Sequence, residues 1–284
     1  MPDNPQAAPA HEFDLPTHTV LALHGRDALA FAQAQFMNDV AALADGGWQW
    51  NGWLTPKGRV IALFALLRRD AETLWLLLPD AAADELVGKL QRYVFRSKLT
   101  LAARTDLHAS GRFAAPLVAS GGAFAVDGEA IELDMGGDGG PRSLRIGPNT
   151  AAADAAGEAR WSGADLQHGL PRLPASKAEQ WTPQQLSLDR LKAFSVKKGC
   201  YPGQEIVART HFLGQVKRGL ALFASESPLD TGTDVLSGER AIGSIVSASD
   251  GLALAVLPLE HDAAGLSAGG VALHPRPLQA GLQR

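Results

Sequence analysis

The segment Lys197-Lys198-Gly199-Cys200-Tyr201-Pro202-Gly203-Gln204-Glu205 constrains the rest of the chain more than any other. Two glycines and a proline in nine residues keep a helix or strand from running through it. It therefore separates a helix-patterned run, Thr182 to about Phe194, from a strand-patterned run that begins at Leu220. It also gathers two ammonium groups, a thiol, a phenol, an amide and a carboxylate, and its thiol is the chain's only cysteine. A stretch so polar and so bent suits a site better than a core.

A chain of 284 residues is long for one hydrophobic core and predicts two or three small domains. Hydrophobic content of 46% with 20% charged residues describes an ordinary globular protein. The net charge of −4 provides no overall field to attract nucleic acid, so anion binding must come from local basic clusters. Met1–Ala10 carries three prolines and no apolar run. It reads as a disordered segment, neither a signal peptide nor a transit sequence. No apolar run approaches the ~20 residues of a membrane span, and a cytoplasmic protein is expected. One cysteine excludes an internal disulfide, a multi-cysteine zinc site and a cluster held by four thiolates. The eight histidines show no metal-binding spacing, so no metal is expected.

Taken in order, Thr19–Leu23 reads as a strand, and Ala28, Phe31, Ala32, Gln35 and Phe36 mark one face of a helix. An aromatic-rich strand, Trp48–Leu54, runs into the turn Thr55-Pro56-Lys57-Gly58-Arg59. Val60–Leu67 and Thr73–Leu78 form a strand pair. A helix carries Leu86, Leu90, Tyr93 and Val94 at helical spacing, which makes Tyr93 a core residue. Lys98–Ala103, Phe113–Val118, Ala123–Val126, Ala130–Leu133 and Ser143–Ile146 follow as strands. Gly136–Gly140 lacks the Lys-Ser/Thr of a phosphate loop and reads as a flexible surface loop. Ala151–Arg160 is a helix or a linker. Thr182-Pro183-Gln184-Gln185 is a helix start with a capping box, and Gln204–Thr210 is a short helix. Asp250-Gly251 between Ile242–Ala248 and Leu252–Leu257 is a two-residue hairpin signal, and frequent glycine turns predict a small barrel.

The run from Lys198 to Glu205 resembles the Lys-Gly-Cys-Tyr-x-Gly-Gln-Glu signature of the YgfZ family, with Pro202 in the variable place. The resemblance extends to Gly25, Asp27, Ala28, Phe31, Gln33, Gln35, Asp39 and Val40, and to the Pro56-Lys57-Gly58-Arg59 turn. These are folate-binding proteins of iron–sulfur cluster assembly and repair, related to the aminomethyltransferase of the glycine cleavage system. The resemblance implies an α+β fold: two α+β domains with antiparallel sheets, 12–105 and 106–212, which may interleave, and a C-terminal β-barrel, 213–284, in a ring-like arrangement. Gln167 stands where the aminomethyltransferases carry a folate-binding carboxylate, a departure that weakens a methylene-transfer reading.

The resemblance implies a tetrahydrofolate-binding accessory protein for iron–sulfur client enzymes, including those that thiomodify tRNA. The alternative is a folate-dependent aminomethyltransferase or demethylase acting on a small methylamine. Cys200, flanked by cations, is the expected reactive thiol, and Lys198 the expected fixed cation for a folate's glutamate tail. Tyr201 would stack on the ligand, Gln204 and Glu205 would hydrogen-bond it, and Lys57 and Arg59 would form a second wall. Arg209 either joins them or pairs with Glu205 one helical turn away. The acidic balance and the lack of an evident basic, aromatic surface argue against strong direct nucleic-acid binding.

Overall fold

The computed structural model describes residues 11–214, 216–262 and 264–284, so the expectation for Met1–Ala10 falls outside the described residues. The chain begins with β1 (Glu12–Asp14), β2 (Thr19–His24) and α1 (Ala28–Gln35), then β3 (Gly47–Leu54), β4 (Val60–Arg68) and β5 (Thr73–Leu78), then α2 (Ala83–Leu90) and β6 (Thr100–Ala103). β2 to β6 form an antiparallel sheet in the order β3-β4-β5-β2-β6. Its central strands read as almost unbroken apolar runs because both faces are covered. Phe64, Leu66 and Leu76 meet Phe31 of α1 and Leu86 of α2, while Trp48, Trp50 and Leu67 face the protein's shared core. α2 stops at Leu90 and tightens into a 3₁₀ turn over Gln91–Tyr93. That change of pitch takes Tyr93 off the apolar face, so the expected core residue is 48% exposed.

A second antiparallel sheet is built from β7 (His108–Arg112), β8 (Ala125–Asp127), β9 (Ala130–Asp134) and β10 (Ser143–Gly147), joined at its edge by β1 in the order β1-β7-β10-β9-β8. The strand expected over Phe113–Val118 does not form. Instead the Glu132 carboxylate accepts the backbone N–H groups of Leu117, Val118 and Ala119, which folds this stretch over the sheet. α3 (Ala155–Gln167) starts at Asp154, whose side chain accepts from the backbone of Ala156 and Gly157.

The helix expected from Thr182 to Phe194 is nucleated but not propagated. Its capping box is present, with Gln185 N donating to Thr182 Oγ1 and Thr182 N to Gln185 Oε1. Ser187 then turns left-handed at φ 48°, and its Oγ accepts Leu220 N from the next domain. Only a 3₁₀ turn, Leu188–Leu191, follows. α4 (Gln204–Phe212) leads into seven antiparallel strands: β11 (Arg218–Ala224), β12 (Asp234–Ser237), β13 (Arg240–Ser249), β14 (Leu252–Pro258), β15 (Leu266–Ala268), β16 (Val271–Ala272) and β17 (His274–Arg276). They make a nearly closed barrel. Asp250 and Gly251 both have positive φ, as the tight hairpin joining β13 to β14 requires.

Arg172 fastens the three bodies together. Its Nε donates to Asp80 Oδ1 at 2.7 Å and its Nη2 to Pro79 O, while its backbone exchanges two hydrogen bonds with Ser247 of the barrel. Asp165 of α3 is buried between Arg142, at 2.8 Å, and Arg172. The C-terminal residues beyond β17 return to this junction. Leu282 is 1% exposed in the shared core, its carbonyl accepts Trp50 Nε1–H, and Arg284 reaches Asp134 O and Gly136 O. The Gly136–Gly140 loop is accordingly not free at the surface. Asp138 N donates to Ala280 O, and a Cβ at Gly137 would lie 2.6 Å from His168 Nε2 and 2.8 Å from Ala280 O. Its glycines let the tail approach.

Candidate functional site

The cysteine segment is clamped at two points. At the first, Lys198 is 6% exposed and its ammonium donates to Gln33 O and Phe36 O at 2.6 Å and to Asn38 O at 3.0 Å. The last carbonyls of a helix have no partner inside it, and a cation there also meets the negative end of the helix dipole. Lys198 is thus the C-terminal cap of α1, with its three protons engaged. Burial pushes its pKa down to about 8, against the pull of Asp39. The sequence suggested an anion-binding cation, whereas the structure gives this ammonium to the protein's own backbone. Ser195 prepares the clamp: its N–H donates to Met37 O, and its Oγ accepts the N–H groups of Lys197 and Lys198.

The second clamp joins the two sequence motifs. Gly203, at φ 81°, lies so close to the Thr55–Arg59 turn that a Cβ would meet Thr55 O at 2.6 Å and Gly58 Cα at 2.7 Å. A Cβ at Gly58, itself at φ 69°, would meet Ile206 Cβ at 2.9 Å. Each glycine is required by a left-handed backbone and by contact with the other loop. Behind this turn is an open groove of about 730 Å³ whose lining includes Trp53, Lys57, Arg59, Lys89, Arg92 and Tyr93. Arg59 is fixed there by Nη1, which donates to Gln180 O and Gln185 Oε1. Tyr93 stands edge-to-face on Trp53 at 5.8 Å, and the Nε1–H of Trp53, itself 3% exposed, is buried without a partner among the described residues.

The remaining expected site residues divide between scaffold and surface. Cys200 is exposed on the loop between the clamps. Tyr201 is buried under Lys198, 5.0 Å from ammonium to ring centre; its hydroxyl donates to Ser195 O, and burial pushes its pKa up to about 12. Gln204 donates to Lys198 O. Glu205 and Arg209 are exposed on α4, and no ion pair joins them among the described residues. Sequence reading missed the supports. Asn38 donates to Trp50 O and Lys192 O, and the Gln33 amide ties Asp39, Val40 and Ala41 to the end of α1. Gln33 and Asp39 did stand in the motif around α1, a signal of importance without a role. Arg92 carried no signal beyond composition, and the helical spacing of Tyr93 pointed to the core instead of the groove.

A pterin needs a flat slot with polar partners, and the two places on offer differ. At the junction of the three bodies Leu282 fills the core, and the cavity beside Trp50 and Asp165 has only about 10 Å³ of open space. The groove has the volume of a small-molecule site, aromatic rings, four cations and one carboxylate, Glu179. It fits a folate. Among the described residues no three His, Cys, Asp or Glu side chains are grouped to hold a metal, and no helix is long and apolar enough to cross a membrane.

Comparison with known proteins agrees with this architecture. The fold superposes on the crystal structure of glycine cleavage system aminomethyltransferase T from Bartonella henselae with a TM-score of 0.70, at 14% identity, covering 97% of this chain and 87% of that one. The chain therefore has the aminomethyltransferase fold. Residues 217–280 match the family described as CAF17, C-terminal beta-barrel domain. The chain is 30% identical over 218 residues to the tRNA-modifying protein YgfZ of Klebsiella pneumoniae, covering 70% of this chain and 66% of that protein. It is 29% identical over 289 residues to the tRNA-modifying protein YgfZ of Aliivibrio fischeri, covering 87% of each. The chain belongs to the YgfZ family.

Proposed function

We propose that this protein binds tetrahydrofolate and acts as an accessory factor in assembling or repairing the iron–sulfur clusters of client enzymes, including enzymes that modify tRNA. The relatives' printed name, tRNA-modifying protein, supports the last part. The observation that carries the reading is the placement of Cys200: an exposed thiol on a loop clamped by Lys198 and packed, glycine against glycine, on the turn that walls the groove.

Tetrahydrofolate, when bound, supplies a reduced pterin able to carry one-carbon units. Trp53 and Tyr93 offer rings to its pterin or benzoate, and Lys57, Lys89 and Arg92 offer charge to its glutamate carboxylates. Lys198 and Gly203 are positioning residues that hold the thiol beside this site. Cys200 is the only group in the loop that is both exposed and nucleophilic. With a single thiol the protein acts on clusters held by others, in keeping with an accessory role.

Calorimetric titration with tetrahydrofolate tests the binding. Wild type is expected to bind, and Lys57→Ala or Arg92→Ala to weaken binding about tenfold by losing a charged hydrogen bond. Absence of binding, or binding unchanged in both variants, contradicts the assignment. Cys200→Ser is expected to bind folate normally yet fail to sustain client activity under oxidative stress.

A further inference from the structure

The loop between α2 and β6 departs from the rest of this acidic chain. From Lys89, in the last turn of α2, to Lys98 the chain holds four cations, Lys89, Arg92, Arg96 and Lys98, and no carboxylate. Two of its aromatic residues face outward, Tyr93 and Phe95, the latter 76% exposed. Arg96 lies over the Phe95 ring, 5.2 Å from its centre. None of the four cations has a salt-bridge partner among the described residues. The nearby carboxylates are Asp27, whose Oδ2 accepts Lys98 N–H at 2.6 Å and whose Oδ1 lies 3.9 Å from Arg26 Nε, Glu85 one turn before Lys89 on α2, and Glu179 across the groove.

The backbone of Arg96 adds an independent observation. It is held at φ 63°, where glycine or asparagine would fit at lower cost. An arginine kept in that conformation points to a use for its side chain. Gly25 and Asp27 hold the same loop in place. A Cβ at Gly25 would be 2.4 Å from Lys98 O, and this close approach puts Arg26 beside Lys98.

Exposed rings interleaved with exposed cations on a shaped loop are what an unpaired polynucleotide uses: bases stack on the rings while phosphates meet the cations, Arg26 exchanging its long, exposed contact with Asp27 for one. Duplex bases are already stacked and offer the rings nothing. We infer that the Phe95–Lys98 loop, with Arg26 beside it, binds single-stranded RNA. RNA in place of DNA rests on the tRNA-modification reading above; the binding itself depends on neither the folate nor the thiol. The net charge of −4 weighs against nucleic-acid binding by the protein as a whole, but this loop is a local exception.

Fluorescence anisotropy of the full chain with a labelled single-stranded RNA of a dozen nucleotides tests the inference. Neutralising three phosphates predicts affinity about 20-fold weaker at 200 mM than at 50 mM salt. Phe95→Ala is expected to weaken binding about tenfold through lost stacking. Arg96→Gly suits the left-handed backbone, so it is expected to keep the fold while weakening binding and making the salt slope shallower by about 0.7. The inference is overturned if wild type does not bind, if both variants bind as wild type does, or if DNA, duplex RNA or polyglutamate binds better. Both substitutions lie outside the groove lining. Tetrahydrofolate binding that survives while RNA binding fails therefore sinks this inference alone, and the converse sinks only the folate assignment.

Discussion

Three hydrogen bonds from one ammonium, two of them short, make the buried Lys198 a fastener between the cysteine loop and α1. Lys198→Met keeps the stem but leaves three carbonyls without a donor, which is expected to cost about 2–4 kcal/mol. Urea denaturation would measure this, and faster alkylation of Cys200 would report the loosened loop. Gly203→Ala is expected to cost a similar amount, about 2–4 kcal/mol, since its Cβ would collide with the Thr55–Arg59 turn in a backbone already left-handed. That change should also weaken folate binding, because the collision pushes the groove's wall away. At this scale the sequence marked the segment but not what its side chains touch. The motif singled out Lys198, Tyr201 and Gln204 as ligand contacts. In the fold Lys198 and Tyr201 are buried, and all three bond to the protein's own backbone, contacts visible only there.

Elements were legible where local pattern and tertiary need agree. Strands β4, β5 and β14 carry long apolar runs, and Asp250-Gly251 dictates the hairpin that pairs β14 with β13. They were not legible where a distant partner decides. Thr182–Gln185 has a complete capping box, yet Ser187 leaves the helix to bond with Leu220 of the barrel. The C-terminal tail, with only Leu278 and Leu282 as large apolar residues after Pro277, has no periodicity from which to infer that it enters the core. Leu282→Ala is expected to destabilise the protein by about 2–5 kcal/mol, as a core leucine does. A surface tail would lose nothing measurable in thermal denaturation.

For the molecule as a whole, one shared core runs through both sheets, the cysteine loop and the barrel, so the bodies depend on one another. His18 lies in that junction, and burial together with the charge of Arg172 holds its pKa well below 6.5. The unfolded chain takes up a proton at His18 near pH 6.5, whereas the folded chain does not. Stability from this group is therefore present above pH 6.5 and lost as pH falls toward the folded pKa, at about 1.4 kcal/mol per pH unit. A His18→Gln variant, followed by urea midpoints from pH 7 to pH 5, should show a shallower decline. Whole-chain charge concealed the basic loop at Lys89–Lys98, since an average over 284 residues says little about ten. Under the proposed function, two abutting glycines join an exposed thiol to the groove that would take folate. The most direct test of this arrangement is the alkylation rate of the single cysteine with and without tetrahydrofolate: folate at a few times the wild-type Kd should slow labelling severalfold in wild type and much less in the weaker-binding Lys57→Ala, whereas identical rates in wild type with and without folate would contradict it.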